Sequence, residues 1–222
     1  MKKAKPLTRN IGFKTRSANV DQIQAFPIGL LFMSKNNVPY TCTASVIHTE
    51  NGNIEVTAAH CLYDHDTRTY FDNIVFYPGY DDGPRPGPFY QIPAAHLVVT
   101  DQFLNNNSDE FDWGIIRFDF DINGSPLEYF TGGLDDLENC PNDGVTLCTW
   151  EGETILANDY YSIPDLDLGE GSSGAPFMAN YDPNSNLGLL YSNFASFDDD
   201  NEESRPIYDP IEFHVLIGRL TL

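Results

Sequence analysis

Residues 56–61 read VTAAHC, a β-like run that ends in a histidine beside a cysteine. Two other segments carry matching chemistry: residues 111–116, FDWGII, where an aspartate opens an apolar strand, and residues 169–176, GEGSSGAP, a glycine-rich loop with two serines. A serine hydroxyl is a weak nucleophile at neutral pH and needs an imidazole to take its proton. The imidazole in turn needs a carboxylate to set its tautomer. The chain holds these three parts in the order His60, Asp112, Ser173.

Each segment alone has a plain structural interpretation: a core histidine, a strand-edge acid and an ordinary loop. Residues 169–174 also match the dinucleotide fingerprint G-x-G-x-x-G, but no convincing apolar strand precedes them, and Asp165 and Asp167 would repel a pyrophosphate. The G-x-S-x-G elbow of α/β-hydrolases does not fit, because Gly174 directly follows Ser173. Only the combination of the three segments indicates catalysis.

Short β-like runs surround these segments. They are rich in Val, Ile, Thr and aromatic residues, and clusters of Gly, Pro, Asn and Asp interrupt them roughly every 8–15 residues. The rhythm predicts an all-β sandwich or barrel rather than alternating βαβ units. The runs are residues 26–33, 40–48, 54–58, 73–77, 113–118, 145–150 and 187–197.

One helix is predicted, at the C-terminus. Asp209 can cap it, Pro210 suits its first position, and Glu212 completes an acid-type capping box. A last strand is the alternative. The side chains expected to face the core are Ile211, Val215, Ile217 and Leu220.

Composition narrows the function classes. The 222 residues are 41% hydrophobic, enough for a real core, and no stretch approaches the roughly 20 apolar residues that cross a bilayer. Acidic side chains number 33 against 12 basic ones, a net charge of −21, which argues against nucleic acid or an anionic membrane as partner. The charge favours solubility or salt tolerance, with cation binding as the alternative. Residues 198–203, DDDNEE, predict a solvated loop, and a calcium site is the alternative there.

The ends and the cysteines indicate the compartment. Six of the 12 basic residues lie in the first 16 positions, without the apolar run of a signal peptide, so we expect an unstructured N-terminus or the tail of a pro-segment. Cys42, Cys61, Cys140 and Cys148 form two local pairs, as disulfides that staple hairpins do, and the Cys-x-x-Cys spacing of zinc sites is absent. The even count favours an oxidising, extracellular setting.

Taken together, the segments resemble the trypsin-like (chymotrypsin-fold) serine endopeptidases over about residues 24–218. Residues 42–47, CTASVI, followed by TAAHC at 57–61, are similar to the family's C-G-G-S-L-I and T-A-A-H-C. DWGI at 112–115 is similar to D-x-A-L, GSSGAP at 171–176 to G-D-S-G-G-P, and PIY at 206–208 to G-V-Y.

The resemblance implies an all-β fold of two antiparallel six-stranded β-barrels with a short C-terminal helix. After an N-terminal extension at 1–20, the first barrel would span 21–122 and carry His60 and Asp112. The second would span 123–222 and carry Ser173 and the helix, with a polar, glycine-rich seam near 119–133.

The resemblance also implies roles. Ser173 would be the nucleophile, His60 the general base and Asp112 the residue that orients it, while the N–H groups of Gly171 and Ser173 would form the oxyanion hole. The disulfides would be Cys42–Cys61 and Cys140–Cys148. The expected protein is a secreted, monomeric endopeptidase that acts on proteins or peptides without metal or cofactor.

Departures from the family pattern bear on activation and specificity. Ser172 replaces the aspartate that pairs with a new N-terminal ammonium in the animal enzymes, and a hydroxyl cannot make that ion pair. This points to the bacterial and fungal branch that includes the glutamyl endopeptidases. Residues 188–194, GLLYSNF, lack that branch's substrate-reading histidine, which argues against glutamate specificity.

The expected substrate-binding residues are Asp167, Ser192 and Phe194. Asp167 lies six residues before Ser173, where an acid would favour Arg or Lys before the scissile bond, although a solvated loop acid is the alternative. Asn193-Phe194 in place of W-G, and Pro206 in place of a pocket glycine, would narrow the pocket. Two other functions stay open: a catalytically inactive protease-fold module that binds peptides or proteins, and a calcium-dependent or salt-adapted structural protein.

Overall fold

Antiparallel strands form most of the structure, a computed structural model that describes residues 26–80, 83–84, 89–131, 155–157, 160–162, 171–182, 187–197, 203–206, 208 and 210–221. The strands of the first half are β1 Ile28–Lys35, β2 Val38–Ile47, β3 Ile54–Thr57, β4 Tyr63–Asp64, β5 Thr69–Tyr70, β6 Asp72–Pro78, β7 Ile92–Pro93, β8 His96–Val99 and β9 Gly114–Arg117. Those of the second half are β10 Ile155–Ala157, β11 Tyr160–Ser162, β12 Pro176–Asp182, β13 Leu187–Asn193, β14 Ser196–Phe197 and β15 Glu203–Pro206. The helices are α1 Asp101–Asn106 and α2 Pro210–Thr221.

A seven-stranded antiparallel sheet curls through the first half in the order β7-β6-β1-β2-β3-β9-β8. Strands β1 and β2 form a hairpin whose last pair is Lys35 and Val38. Asn36 and Asn37 connect them with φ of 51° and 63°. Two consecutive left-handed residues are what a type I′ turn requires, and asparagine tolerates them, so the turn sets the register of the sheet's two longest strands.

Strand β3 is buried on both faces, which explains its mixed sequence. Ile54 and Val56 point toward one apolar cluster, which also contains Trp113, Ile115, Leu216 and Leu220. Glu55 alternates with them and is paired across the sheet with Val46 and Ile116, two members of the larger cluster inside the curled sheet. The strand that leads to His60 is therefore a central wall between two cores.

The C-terminal helix α2 begins at Pro210, as predicted, while Asp209 lies outside the described residues. The predicted core face is wrong for Ile211 and Val215, which are 78% and 48% exposed. The prediction is confirmed for Leu220, which is buried, and Ile217 is partly buried. Leu216 is buried as well, and Leu216 and Leu220 pack on the outer face of β3, β8 and β9. Arg117 of β9 donates from Nη1 to the main-chain oxygen of Leu220, which satisfies a carbonyl at the end of the helix.

The second half contributes a four-stranded sheet in the order β10-β11-β15-β14 and the two-stranded pair β12-β13. The predicted all-β fold with a C-terminal helix is confirmed, although the first sheet has seven strands rather than six, with the two-residue β7 at its edge. The predicted run at 145–150, the N-terminal extension and Cys140 and Cys148 lie outside the described residues. Among the described helices, none is long and apolar enough to cross a membrane.

Candidate active site

His60 lies in a single 3₁₀ turn, Ala59–Cys61, that directly follows β3. The turn is buried, and the imidazole residue is only 5% exposed. Cys61 forms the predicted disulfide with Cys42 of β2, with a Cα–Cα distance of 6.2 Å. The bond ties the histidine turn to the neighbouring strand, so His60 is held from both sides. The prediction of Cys42–Cys61 is confirmed.

The sulfur atoms of Cys42 and Cys61 and a ring nitrogen of His60 lie within 4.8 Å of one another. Such a cluster resembles a metal site in spacing only. Both sulfur atoms are bonded to each other, and a disulfide is not the thiolate that a metal ion requires.

Asp112 holds His60 by two hydrogen bonds. Its Oδ2 is 2.7 Å from Nδ1 of the ring, and its Oδ1 accepts from the main-chain N–H of His60 at 2.8 Å. Because a carboxylate only accepts, this contact places the hydrogen of a neutral ring on Nδ1 and leaves Nε2 as the acceptor nitrogen. Nε2 is buried and has no hydrogen-bond partner among the described residues. Nε2 is therefore the ring atom of His60 that is available to accept a proton.

The loop that carries Asp112 follows α1. Thr100 caps that helix by accepting from the N–H of Phe103 at 3.1 Å, and its hydroxyl donates to the carbonyl of Phe111 at 2.8 Å. Asn107 ends the helix in the left-handed region, with φ of 51°. Asp112 itself is fully buried. One threonine thus braces both ends of the segment that delivers the carboxylate.

The serine loop has a main chain that is held at each step. The carbonyl of Gly171 accepts from Oγ1 of Thr43 at 3.0 Å, and the carbonyl of Ser172 accepts from the N–H of Ala175 at 2.8 Å. The carbonyl of Ser173 accepts from the N–H of Thr43 at 2.7 Å. In a trans peptide the carbonyl of one residue and the N–H of the next residue point in opposite directions, so these bonds set the direction of the N–H groups of Ser172, Ser173 and Gly174.

Two glycines permit this conformation. Gly171 and Gly174 have φ of 94° and 87°, where a side chain would be strained. A Cβ on Gly174 would also come within 2.1 Å of the carbonyl oxygen of Thr43. Only glycine therefore lets the serine loop lie this close to β2.

The loop and the histidine turn meet. The Sγ of Cys61 lies 3.9 Å from the main-chain oxygen of Ser173, and Ser173 is 6% exposed. This contact brings Cys61, next to His60, close to Ser173, 112 positions away in the sequence. Within the described ranges, no hydrogen bond uses the N–H of Gly171 or of Ser173.

The predicted substrate-binding residues have mixed outcomes. Asp167 lies outside the described residues. Ser192 is buried, and its hydroxyl donates to the carbonyl of Pro206 at 2.6 Å, so it is already engaged. Phe194 is 2% exposed and pairs through its main chain with the serine loop, accepting from the N–H of Gly174 and donating to the carbonyl of Ala175.

Sequence reasoning missed a polar pair behind Asp112. The Nδ2 of Asn193, in β13, is 3.4 Å from the main-chain oxygen of Asp112, and its Oδ1 accepts from the hydroxyl of Tyr208 at 2.8 Å. The ring of Tyr208 packs against Trp113 and Phe213, with centroid distances of 5.2 and 5.5 Å. Burial raises the pKa of Tyr208 well above its ordinary value, so the phenol stays a donor. No local pattern signals this pair, because its members come from separate elements.

Glu55 was also missed. Glu55 is completely buried, with 0% of its surface exposed. Both of its carboxyl oxygens lack hydrogen-bond partners among the described residues. Burial raises its pKa well above the ordinary glutamate value, so the neutral acid is favoured.

Comparison with solved structures gives a consistent result. A thermostable serine protease, AL20, from an extremophilic microorganism superimposes with a TM-score of 0.73 at 21% identity, over 89% of this chain and 99% of that chain. The protease Anisep from Arthrobacter nicotinovorans gives 0.68 at 20% identity, over 84% and 91%. A Glu endopeptidase gives 0.57 at 13% identity, over 98% and 96%.

Sequence comparison adds no relative. No protein-family model matches the chain, and no curated protein matches it. The likeness is therefore one of structure, and it extends over most of the chain. The chain has the fold of the trypsin-like (chymotrypsin-fold) serine proteases.

Proposed function

We propose that the protein is a serine endopeptidase that hydrolyses peptide bonds through an acyl-enzyme on Ser173. Two observations support this: the fold shared with serine proteases, and the burial of His60, Asp112 and Ser173, with Asp112 bonded to His60 and the carbonyl of Ser173 near Cys61. The single observation that carries the proposal is the pair of hydrogen bonds between Asp112 and His60, which leaves Nε2 without a hydrogen-bond partner among the described residues.

In the first step, Oγ of Ser173 attacks the carbonyl carbon of the scissile bond, and its proton passes to Nε2 of His60. The ring becomes positively charged, and the carboxylate of Asp112 stabilises that charge through the 2.7 Å contact with Nδ1. The C–N bond then breaks, and the leaving amine takes the proton from Nε2. Water attacks the ester in the same manner and restores the serine hydroxyl.

The oxyanion formed in each step needs donors that are already in place. The N–H groups of Gly171 and Ser173 supply them, since neither is used in the described hydrogen bonds and the carbonyl of Ser172, in the same peptide unit as the Ser173 N–H, is held by Ala175. A donor of this kind is worth about 10²–10³ in kcat in other enzymes of this chemistry.

The test is the intact mass of the protein after treatment with a serine-reactive fluorophosphonate. We expect one stoichiometric adduct in the natural chain, and the same adduct in Ser172→Ala, the matched control on the same loop. Ser173→Ala and His60→Ala should give none, with melting temperatures that show both variants are folded. This pattern would require an activated Ser173 rather than a merely exposed serine.

An adduct that persists in Ser173→Ala would overturn the assignment of the nucleophile. No adduct in any folded sample would favour the alternative, a catalytically inactive protease-fold module that binds peptides or proteins. Binding of a peptide library without turnover would then identify that function.

Substrate preference and location follow as parts of the same proposal. We propose that Asp167 favours Arg or Lys before the scissile bond, and that the protein acts outside the cell on proteins or peptides, as a monomer and without a cofactor. The buried Cys42–Cys61 disulfide supports an oxidising compartment. A panel of peptides that vary the residue before the cut, with Asp167→Asn as the comparison, tests the preference.

A further inference from the structure

Thr43 of β2 contacts the serine loop twice. Its N–H donates to the carbonyl of Ser173 at 2.7 Å, and its Oγ1 donates to the carbonyl of Gly171 at 3.0 Å, across 128 positions of sequence. One residue of β2 thereby holds two peptide units of the loop, 171–172 and 173–174, which lie on either side of the unit that carries the Ser173 N–H.

Thr43 is itself fixed in place. Its carbonyl accepts from Oγ1 of Thr57 in β3 at 2.7 Å, and the preceding residue, Cys42, is bonded to Cys61. Because the peptide units on both sides of Thr43 are restrained, its side chain presents the hydroxyl to the loop from a defined position.

Gly171 needs such a restraint. With φ of 94° it lies in a region that only glycine visits freely, and a Cβ there would meet only Oγ1 of Thr41, at 3.7 Å. The space on the side of Gly171 where a Cβ would lie is therefore nearly open. Its carbonyl accepts from Thr43, and that bond fixes the orientation of the peptide unit between Gly171 and Ser172.

We propose that Thr43 is a positioning residue that keeps the oxyanion hole formed, an inference that rests on the proposed function. Thr43 holds the carbonyls of Gly171 and Ser173, and Ala175 holds the carbonyl of Ser172, which shares its peptide unit with the Ser173 N–H. The Ser173 N–H therefore has a fixed orientation, with its own unit and both neighbouring units held. Thr43 touches neither substrate nor the reacting atoms and acts only through the loop.

Two features of the sequence give this contact its significance. The family motif that residues 42–47 resemble has glycine at the position of Thr43, and glycine has no hydroxyl to donate. Ser172 stands where that pattern has the aspartate of the activating ion pair. The Thr43 hydroxyl thus supplies, from β2, a hold on the loop that does not depend on a charged N-terminus.

The experiment compares Thr43→Val, which removes the hydroxyl at nearly constant shape, with Thr43→Ser, which keeps it. Thr131→Val is the matched control, because it removes a threonine hydroxyl that also donates to a carbonyl, that of Leu127 at 3.2 Å, away from the loop. Two quantities are measured on each full-length chain: kcat and KM on a peptide ester, and amide hydrogen exchange of the segment containing Gly174 and Ala175.

In Thr43→Val we expect kcat to fall about 10–100-fold with KM nearly unchanged, because the loss affects transition-state stabilisation. Exchange at Gly174 and Ala175 should rise, while Thr43→Ser restores both quantities to within a few-fold. Thr131→Val should change neither kcat nor loop exchange, whatever it does to stability.

Unchanged loop exchange in Thr43→Val would overturn the inference, whatever the kinetics. Faster exchange with an unaltered kcat would overturn it too, because the hold would then have no catalytic consequence. The proposed function fails separately, if the natural chain gives no fluorophosphonate adduct. In that case the positioning role fails with it, and the exchange data report only the contact.

Discussion

Asp112 forms hydrogen bonds with both the ring and the main chain of His60. Its Oδ2 lies 2.7 Å from Nδ1, and its Oδ1 lies 2.8 Å from the main-chain nitrogen. The second bond does more than orient the ring. It ties the backbone of the 3₁₀ turn after β3 to the loop after α1, and so links two chain segments 52 positions apart. Both oxygens of this fully buried carboxylate are therefore used.

Asp112→Asn should reduce kcat by a factor on the order of 10³–10⁴, because an amide can donate to Nδ1 and so stabilise the wrong tautomer. The protein should stay folded, since the shape of the side chain is kept. Steady-state kinetics on a peptide ester, with a melting curve, measure both. The exposed Asp119→Asn is the control and should keep its activity. Equal turnover in Asp112→Asn would mean that Asp112 does not set the tautomer.

Removing the Cys42–Cys61 disulfide as Cys42→Ala/Cys61→Ala should lower the free energy of unfolding by about 2–4 kcal/mol, because the closed loop restricts the unfolded chain. Both cysteines are 0% exposed, so a mild reductant should reach the bond in the native protein only slowly. Urea unfolding of the natural chain and the double variant gives the first quantity, and loss of activity with time under dithiothreitol gives the second. Rapid inactivation of native protein would show that the turn opens readily.

Glu55 should make stability fall as pH rises. Its pKa is raised in the folded state by burial, whereas in the unfolded chain it is ordinary. Between those two pKa values the folded state holds the extra proton, so the free energy of unfolding decreases with increasing pH. At pH values below the ordinary glutamate pKa, Glu55 is protonated in both states and causes no pH dependence of the free energy of unfolding.

The measurement is urea unfolding at several pH values from 4 to 8 for the natural chain and Glu55→Gln, which cannot ionise. As pH increases, the free energy of unfolding of the natural chain should fall relative to that of Glu55→Gln. Parallel curves would show that Glu55 keeps an ordinary pKa after folding.

Tyr208→Phe should destabilise the protein by about 1–3 kcal/mol, because it leaves Oδ1 of the buried Asn193 without its donor. Urea unfolding measures the loss, and Tyr129→Phe, at a tyrosine that is 75% exposed, should be nearly neutral. In a double-mutant cycle with Asn193→Ala, the interaction energy between the two residues should account for much of this loss. Additive effects of the two changes would contradict a direct bond.

Local pattern was sufficient for some elements and misleading for others. The start of α2 at Pro210 follows from proline's fixed φ and lack of an N–H, both local properties. Its core face was predicted at Ile211, Val215, Ile217 and Leu220, yet Ile211 and Val215 are exposed and the buried positions are Leu216 and Leu220. Apolar residues on both sides of a helix do not reveal which side a sheet will cover, and here the outer face of β3, β8 and β9 decided it.

The sequence by itself determined the chemical parts: a histidine after an apolar strand, an aspartate before another, a serine between glycines, and the cysteine beside the histidine that forms the disulfide. These depend on residue type and short-range order, which the chain displays directly. Tertiary structure alone decided that Thr43 meets Gly171, that Asn193 lies behind Asp112 and that Glu55 faces a core. Those contacts join residues that only folding brings together, and no local property of the chain records which partner a side chain will find.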